Sequence, residues 1–195
     1  MVDLRASSMF ENPDLAPEEV AARMLVTPTA LDDLTVADAM KVVGYMRPSV
    51  IPSGTVFIEE GEIRKTDYMM LVLEGDIAGE NEPPGLNESM VVNVIGPGHL
   101  IGEMGLLDGS PRSATCTATT DIVVAILTRT ALMRLLRDEP RVGARLLLAI
   151  STRMAQRLRE TTRKLRTFAQ MNKAMHEELQ VVMNNRTVRG DQRAK

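Results

Sequence analysis

Between Pro48 and Leu127 the chain breaks into short apolar runs separated by glycine-bearing turns, at roughly ten-residue spacing, and that rhythm excludes most folds. The runs Val50-Ile51, Val56-Phe57-Ile58, Tyr68 to Leu73, Met90 to Ile95, Arg112 to Ala118 and Ile122 to Leu127 have strand length and are too short for helices. Pro52-Ser53-Gly54, Glu60-Gly61-Glu62 and Glu74-Gly75-Asp76 supply turns, and Asn81 to Asn87 reads as a loop. No helical period intervenes between most of these runs, so the pattern predicts a β-sandwich or barrel rather than a βαβ fold.

Helical patterns flank this block. Pro17 to Leu25 has proline and acids in its first turn, and Leu31 to Met46 repeats an apolar spacing through Leu31, Leu34, Met40 and Val43. After the block, Thr128 can cap a helix over Arg129 to Asp138, and Pro140 opens a much longer one. On that helix Met154, Thr161, Phe168, Met175 and Val182 recur every seven residues, with Leu158, Leu165, Asn172 and Leu179 between them. Steps of three and four make these the d and a positions of a two-chain seam, which predicts a homodimer. The boundaries expected are a helical extension over 1–47, the β block over 48–128, the hinge and long helix over 129–183 and a disordered basic tail over 184–195.

One stretch inside the block is not explained by folding alone: Gly102-Glu103-Met104-Gly105-Leu106-Leu107, followed by Pro111-Arg112-Ser113-Ala114-Thr115. Backbone N–H groups at a helical turn starting near Gly102, Glu103 and Met104 favour an anion. Arg112 supplies a permanently charged, two-pronged donor for the same phosphate, and it is expected to serve the ligand rather than the fold. A phosphate would repel Glu103 unless its carboxylate faced another donor, and a sugar hydroxyl is such a donor. The stretch reads as a phosphate-and-ribose clamp.

These residues resemble the phosphate-binding cassette of the cyclic nucleotide-binding domain family. The resemblance implies a mainly β fold with helices: an eight-stranded jelly roll flanked by N-terminal helices and a long C-terminal dimerisation helix. It implies ligand contacts from Gly102, Glu103, Met104, Arg112, Ser113 and Ala114. Met154 to Leu165 also resembles the long helix of the family's transcription factors, whose adjacent hydroxyl residues touch the base; Thr161 and Thr162 match them here, with about one extra helical turn before them. Cyclic AMP is the implied ligand, and the Ser113 hydroxyl leaves cyclic GMP open. The few residues after Gln170 offer no recognition helix for DNA, so the expected partner is a protein effector. A ligand-independent dimerisation scaffold and a nucleic-acid-associated regulator are the alternative readings.

Composition narrows the rest. Hydrophobic residues at 44% can form a core, but aromatics at 3% make it aliphatic and remove stacking platforms for single-stranded nucleic acid. The two histidines, His99 and His176, cannot supply a three-histidine metal site, and no serine, histidine and acid are arranged as a triad. A non-enzyme is expected. The single cysteine, Cys116, permits no internal disulfide, and no apolar run approaches the ~20 residues of a membrane span, so a cytoplasmic protein is expected. Residues 1–128 carry 7 basic and 20 acidic side chains whereas 129–195 carry 16 and 6, so the two parts stand at −13 and +10. Such asymmetry suits an anionic partner for the basic part or a solvated helix surface.

Overall fold

A computed structural model describes residues 16–81 and 90–191. The chain divides into two units that meet between Ser151 and Thr152, each described here by itself. The expected loop at 82–87 lies outside the described residues.

The first unit opens with two helices. The first, α1 (Pro17–Leu25), carries Pro17 in its first turn, where a missing N–H costs nothing, and buries Ala21, Ala22 and Leu25. The second, α2, spans Val36–Val43 and is shorter than the spacing predicts. Thr35 is the reason. Its hydroxyl oxygen accepts the Asp38 N–H at 3.1 Å and its proton goes to Asp38 Oδ2 at 2.8 Å, so the helix starts there. Leu31 and Leu34 are buried from the loop before the helix, and Met40 faces outward.

Eight strands follow: β1 (Arg47–Ile51), β2 (Val56–Ile58), β3 (Tyr68–Glu74), β4 (Ile77–Asn81), β5 (Met90–Ile95), β6 (Leu100–Ile101), β7 (Thr115–Ala118) and β8 (Ile122–Thr128). They form two four-stranded antiparallel sheets, ordered β1-β8-β3-β6 and β2-β7-β4-β5, the double-sheet arrangement the sequence rhythm predicts. The spacing does not reveal β4, because Ala78 and Gly79 carry little strand propensity. Its central residues are nevertheless held on both edges, with Ala78 opposite Thr117 on β7 and Val94 on β5. Ile58, Met70, Val72, Ile77, Ile101, Cys116, Ala118, Ile122 and Val124 make the buried core, drawn from both sheets and aliphatic as the composition requires.

The short helix α3 (Glu103–Asp108) leaves directly from β6, and α4 (Arg129–Asp138) leaves directly from β8. Thr128 caps α4 by accepting the Ala131 N–H at 3.2 Å. The long α5 runs over Pro140–Asp191, continuing past residue 184 where a disordered tail was expected. No proline interrupts it there, and each residue added to an existing helix gains a hydrogen bond, so Asn184-Asn185 does not end it. Residues 192–195 lie outside the described residues.

Arg145 in the first turns of α5 reaches back to Asp38 Oδ2 at 2.8 Å, joining α5 to α2. Burial acts to raise the Asp38 pKa, but hydrogen bonds from Arg145 and Thr35 outweigh it and hold the carboxyl below its ordinary value. Asp38→Asn is expected to cost on the order of 1 kcal/mol, because Arg145 is mostly solvent-screened. A group with a lowered native pKa stabilises above its unfolded value and loses that contribution as pH falls through the native one. The wild type and variant should therefore differ in urea midpoint at neutral pH and converge below the ordinary aspartate value of 3.8. A gap that stayed constant into acid would rule out the charged contact.

In the second unit, α5 exposes a line of apolar side chains. Leu158, Leu165, Phe168 and Met175 are 58–68% accessible at the spacing expected of a seam. Side chains at the expected seam positions 179 and 182 lie outside the described residues.

Candidate functional site

The central strand β3 organises the site. On one edge it pairs with β8, and on the other Met70 stands opposite Ile101 of β6, so the chain leaving β6 passes next to Tyr68. There Gly102 adopts a left-handed conformation, φ 82°, that side-chain-bearing residues rarely take. A Cβ on Gly102 would lie 2.5 Å from Arg112 Nη1 and 2.9 Å from the Tyr68 carbonyl oxygen. Gly105 is equally constrained: its Cβ would lie 2.7 Å from the Thr66 carbonyl oxygen and 3.2 Å from Arg112 Nη1. The two glycines of the Gly-Glu-Met-Gly motif thus leave a cradle, and the Arg112 guanidinium fills it.

Arg112 is not the free-standing donor that the motif suggests; it is only 6% exposed. Its Nε and Nη2 donate to the Lys65 carbonyl at 3.2 and 2.9 Å, Nη2 also to Tyr68 O at 3.2 Å, and Nη1 to Gly102 O at 3.3 Å. The guanidinium carbon lies 4.3 Å from the centre of the Tyr68 ring, a cation–π distance. Burial raises the Tyr68 pKa above its ordinary value, while the Arg112 charge and hydrogen bond act the other way. Arg112 therefore serves the fold as well, holding the turn before β3 against the start of α3. That role overturns the expectation that it serves only a ligand, and it was hidden because Lys65 and Tyr68 lie more than forty residues away in sequence.

Glu103 is likewise 6% exposed, at the first position of α3. The structure sets the Arg112 guanidinium against Gly102, with Glu103 next to Gly102 in the chain. Met104 faces outward, Ser113 is exposed and Ala114 half-buried on the approach to β7. Thr161 and Thr162 belong to the second unit, where both are exposed and donate their hydroxyls to the Arg157 and Leu158 carbonyls at 2.9 Å, one turn back.

One functional neighbour escaped sequence reasoning. Arg129, the first residue of α4, donates from Nε to Leu106 O at 3.0 Å and from Nη2 to Gly105 O at 3.3 Å. A cation on the last carbonyls of a short helix complements their partial negative charge. The cassette helix is thereby tied to α4, and its only sequence signal is a basic residue directly after the Thr128 cap.

A cavity of about 130 Å³ opens beside Arg112, lined by Phe57, Glu59, Glu62, Lys65 and Tyr68 among others. A larger one, about 420 Å³, lies apart from the cassette between Tyr45, Arg47, Ile126, Thr128 and Arg134. Size favours the second, but Arg134 is stacked over the Tyr45 ring there, and no buried carboxylate and arginine converge on it. The charged chemistry sits at the first. Its lining joins the buried Arg112, a two-pronged donor suited to a phosphate, to the carboxylates of Glu59 and Glu62, whereas Glu103 is not among the residues that line it. His99 Nδ1 lies 2.9 Å from the Gly96 carbonyl oxygen, and the described residues contain no cluster of metal-ligating side chains. No helix among the described residues is long and apolar enough to cross a membrane.

Comparison with known proteins agrees with this geometry. Residues 48–139 match the cyclic nucleotide-binding domain. The chain is 27% identical over 120 residues to the CRP-like cAMP-activated global transcriptional regulator of Mycobacterium tuberculosis, covering 62% of this chain and 50% of that one. It is 30% identical over 162 residues to the cyclic AMP receptor protein of Thermus thermophilus, covering 83% and 62%. Among solved structures, the cyclic nucleotide-binding domain from Methylobacillus flagellatus superposes with a TM-score of 0.64 at 28% identity, over 73% of this chain and 79% of that one. The chain spans 22–62% of the length of these curated relatives. Those relatives are regulators, kinase regulatory subunits and channels. After residue 140 the described residues form one continuous helix. The chain carries a cyclic nucleotide-binding domain, with structural neighbours of the catabolite activator kind.

Proposed function

We propose that the protein is a dimeric cyclic-mononucleotide receptor, preferring cyclic AMP to cyclic GMP, that signals to a protein partner through α5. The observation that carries this reading is the burial of two charged side chains of the motif, Arg112 packed against Gly102 and Glu103 next to Gly102 in the chain. Two charges are expensive to bury, and in this reading a phosphate is the partner of Arg112 and a sugar hydroxyl that of Glu103. On binding, Arg112 exchanges carbonyl acceptors for phosphate oxygens, and Glu103 accepts from the ribose 2′-hydroxyl. Met104, Ser113 and Ala114 line the approach. Releasing Arg112 frees the start of α3, and Arg129 carries the change from the end of α3 to α4.

Calorimetry with cyclic AMP, cyclic GMP and cyclic di-GMP tests the receptor reading. Saturable binding of one cyclic mononucleotide per chain is expected, tightest for cyclic AMP; no heat with any of the three would leave a ligand-independent dimerisation module. Glu103→Gln should weaken cyclic AMP binding and narrow its advantage over 2′-deoxy cyclic AMP. If the wild type bound both equally well, Glu103 would not be the ribose contact.

Dimerisation through α5 is supported by the exposed line Leu158, Leu165, Phe168 and Met175, which sedimentation can test. Thr161 interrupts that line with a polar side chain, and Thr162 is adjacent to it. We place the base contact on these two residues, so that a ligand favours one helix arrangement over another. Hydrogen exchange over residues 154–172 should slow with cyclic AMP, and Thr161→Leu should tighten the dimer while blunting that response. Exchange identical with and without saturating nucleotide would separate the site from the seam.

A further inference from the structure

The larger cavity of the first unit serves neither the cassette nor the seam. One wall is β8, where Ile126 and Thr128 are two residues apart and so share a face, with Arg47 of the edge strand β1 opposite Ile126. Ala131 and Arg134, three apart on one face of α4, line it from the helix side. Tyr45, in the turn between α2 and β1, adds an aromatic wall. Its hydroxyl donates to Asp138 Oδ2 at 3.2 Å, and the Arg134 guanidinium carbon lies 5.0 Å from the ring centre. The space is about 420 Å³, within the roughly 300–1,000 Å³ of small-molecule sites.

Two cations and no acid line it. Arg47 and Arg134 are exposed whereas Tyr45, Ile126 and Ala131 are half-buried, which gives an apolar base and a charged mouth. Stacking on Tyr45 occupies the face of the Arg134 guanidinium and leaves its in-plane N–H groups to donate. Neither arginine has an ion pair among the described residues. The acids at the end of α4 have other partners: Asp138 holds Tyr45, and Glu139 pairs with Lys41 Nζ at 2.8 Å. A carboxylate is the anion this suits, since guanidinium forks match its two oxygens. A phosphate would be drawn to open N–H groups at a helix start. In α4 these are taken, the Arg129 N–H by Asp67 O at 2.7 Å and the Ala131 N–H by Thr128 Oγ1 at 3.2 Å.

We propose that this cavity binds a small amphipathic carboxylate, with Arg47 and Arg134 on the carboxyl group and Tyr45, Ile126 and Ala131 against an aryl or acyl body. The inference is independent of the nucleotide reading above. The probes are 4-phenylbutyrate and decanoate, each titrated into the full chain and followed by its nitrogen–proton correlation spectrum. With at least one of them, the amides of Ala131 and Arg134 and the Arg47 Nε–H should shift together and saturate at one molecule per chain below ~10 mM. The uncharged 4-phenylbutanamide and inorganic phosphate should each bind at least ~10-fold more weakly than that carboxylate, as should the carboxylate itself to R47Q/R134Q. A131L, which fills the space and leaves both charges in place, should abolish the shifts. Circular dichroism and cyclic AMP binding should be unchanged in both variants. No saturable shift with either carboxylate, equal binding of the amide or of phosphate, wild-type affinity in R47Q/R134Q, or shifts at Gly102 and Gly105 in place of these would overturn the proposal.

Discussion

Arg112→Ala is expected to weaken cyclic AMP binding by at least ~100-fold and to lower the stability of the protein as well. The binding loss follows from charge: hydrogen bonds to an ionised partner contribute about 1.5–3 kcal/mol each, and two of them exceed the ~2.7 kcal/mol that corresponds to 100-fold. The stability loss follows from the four hydrogen bonds that Arg112 makes to the carbonyls of Lys65, Tyr68 and Gly102. Alanine leaves those acceptors to find water or go without, at roughly 2–4 kcal/mol in total, a large fraction of the stability of an ordinary domain. Arg112→Lys separates the two effects, since it keeps a charge for the phosphate but cannot fork across several carbonyls. Thermal denaturation alongside calorimetry should show lysine intermediate in both. Wild-type affinity in the alanine variant would remove Arg112 from the site.

Gly102→Ala should be nearly as damaging although it adds one methyl group. Forcing a side-chain-bearing residue into the left-handed region costs about 1–2 kcal/mol. At Gly102 the new Cβ would also press on Arg112 Nη1 at 2.5 Å and on the Tyr68 carbonyl at 2.9 Å, so the guanidinium must leave its cradle. Gly54 provides the control, because it has a similar positive φ, 78°, but open space where its Cβ would go. Gly54→Ala should cost only the backbone strain and leave nucleotide affinity unchanged, whereas Gly102→Ala should cost about 2–4 kcal/mol and reduce affinity at least tenfold. Equal losses at the two positions, read from urea denaturation, would show that packing against Arg112 contributes nothing.

What was legible in the sequence was local. The Gly-Glu-Met-Gly turn, the Thr128 cap and the proline at the start of α1 announce themselves through residues a few positions apart, and each stands where expected. The double-sheet fold was legible because strand rhythm survives without knowledge of pairing partners. Contacts closed across the fold were not. The carbonyls that hold Arg112 come from the segment entering β3, and the Arg129 side chain reaches back over twenty residues to α3. Thr27 and Thr29, unremarkable in sequence, both donate hydroxyls to the Gly98 carbonyl at 3.1 and 2.8 Å and fasten the chain after α1 to the turn before β6. Neither end of α2 was legible: Leu31 and Leu34 are buried as a helix face would be while Thr35 begins the helix after them, and the helix stops at Val43, short of the expected Met46.

The most direct measurement is the nitrogen–proton correlation spectrum of the protein, side-chain arginine Nε–H included, followed through a titration with cyclic AMP. The Arg112 Nε–H and the amides of Gly102 and Gly105 should shift together and saturate at one nucleotide per chain, because the guanidinium gives up the Lys65 carbonyl for a phosphate oxygen. Shifts confined to the surroundings of Tyr45 and Arg134, or a spectrum unchanged at saturating nucleotide, would contradict binding at the cassette.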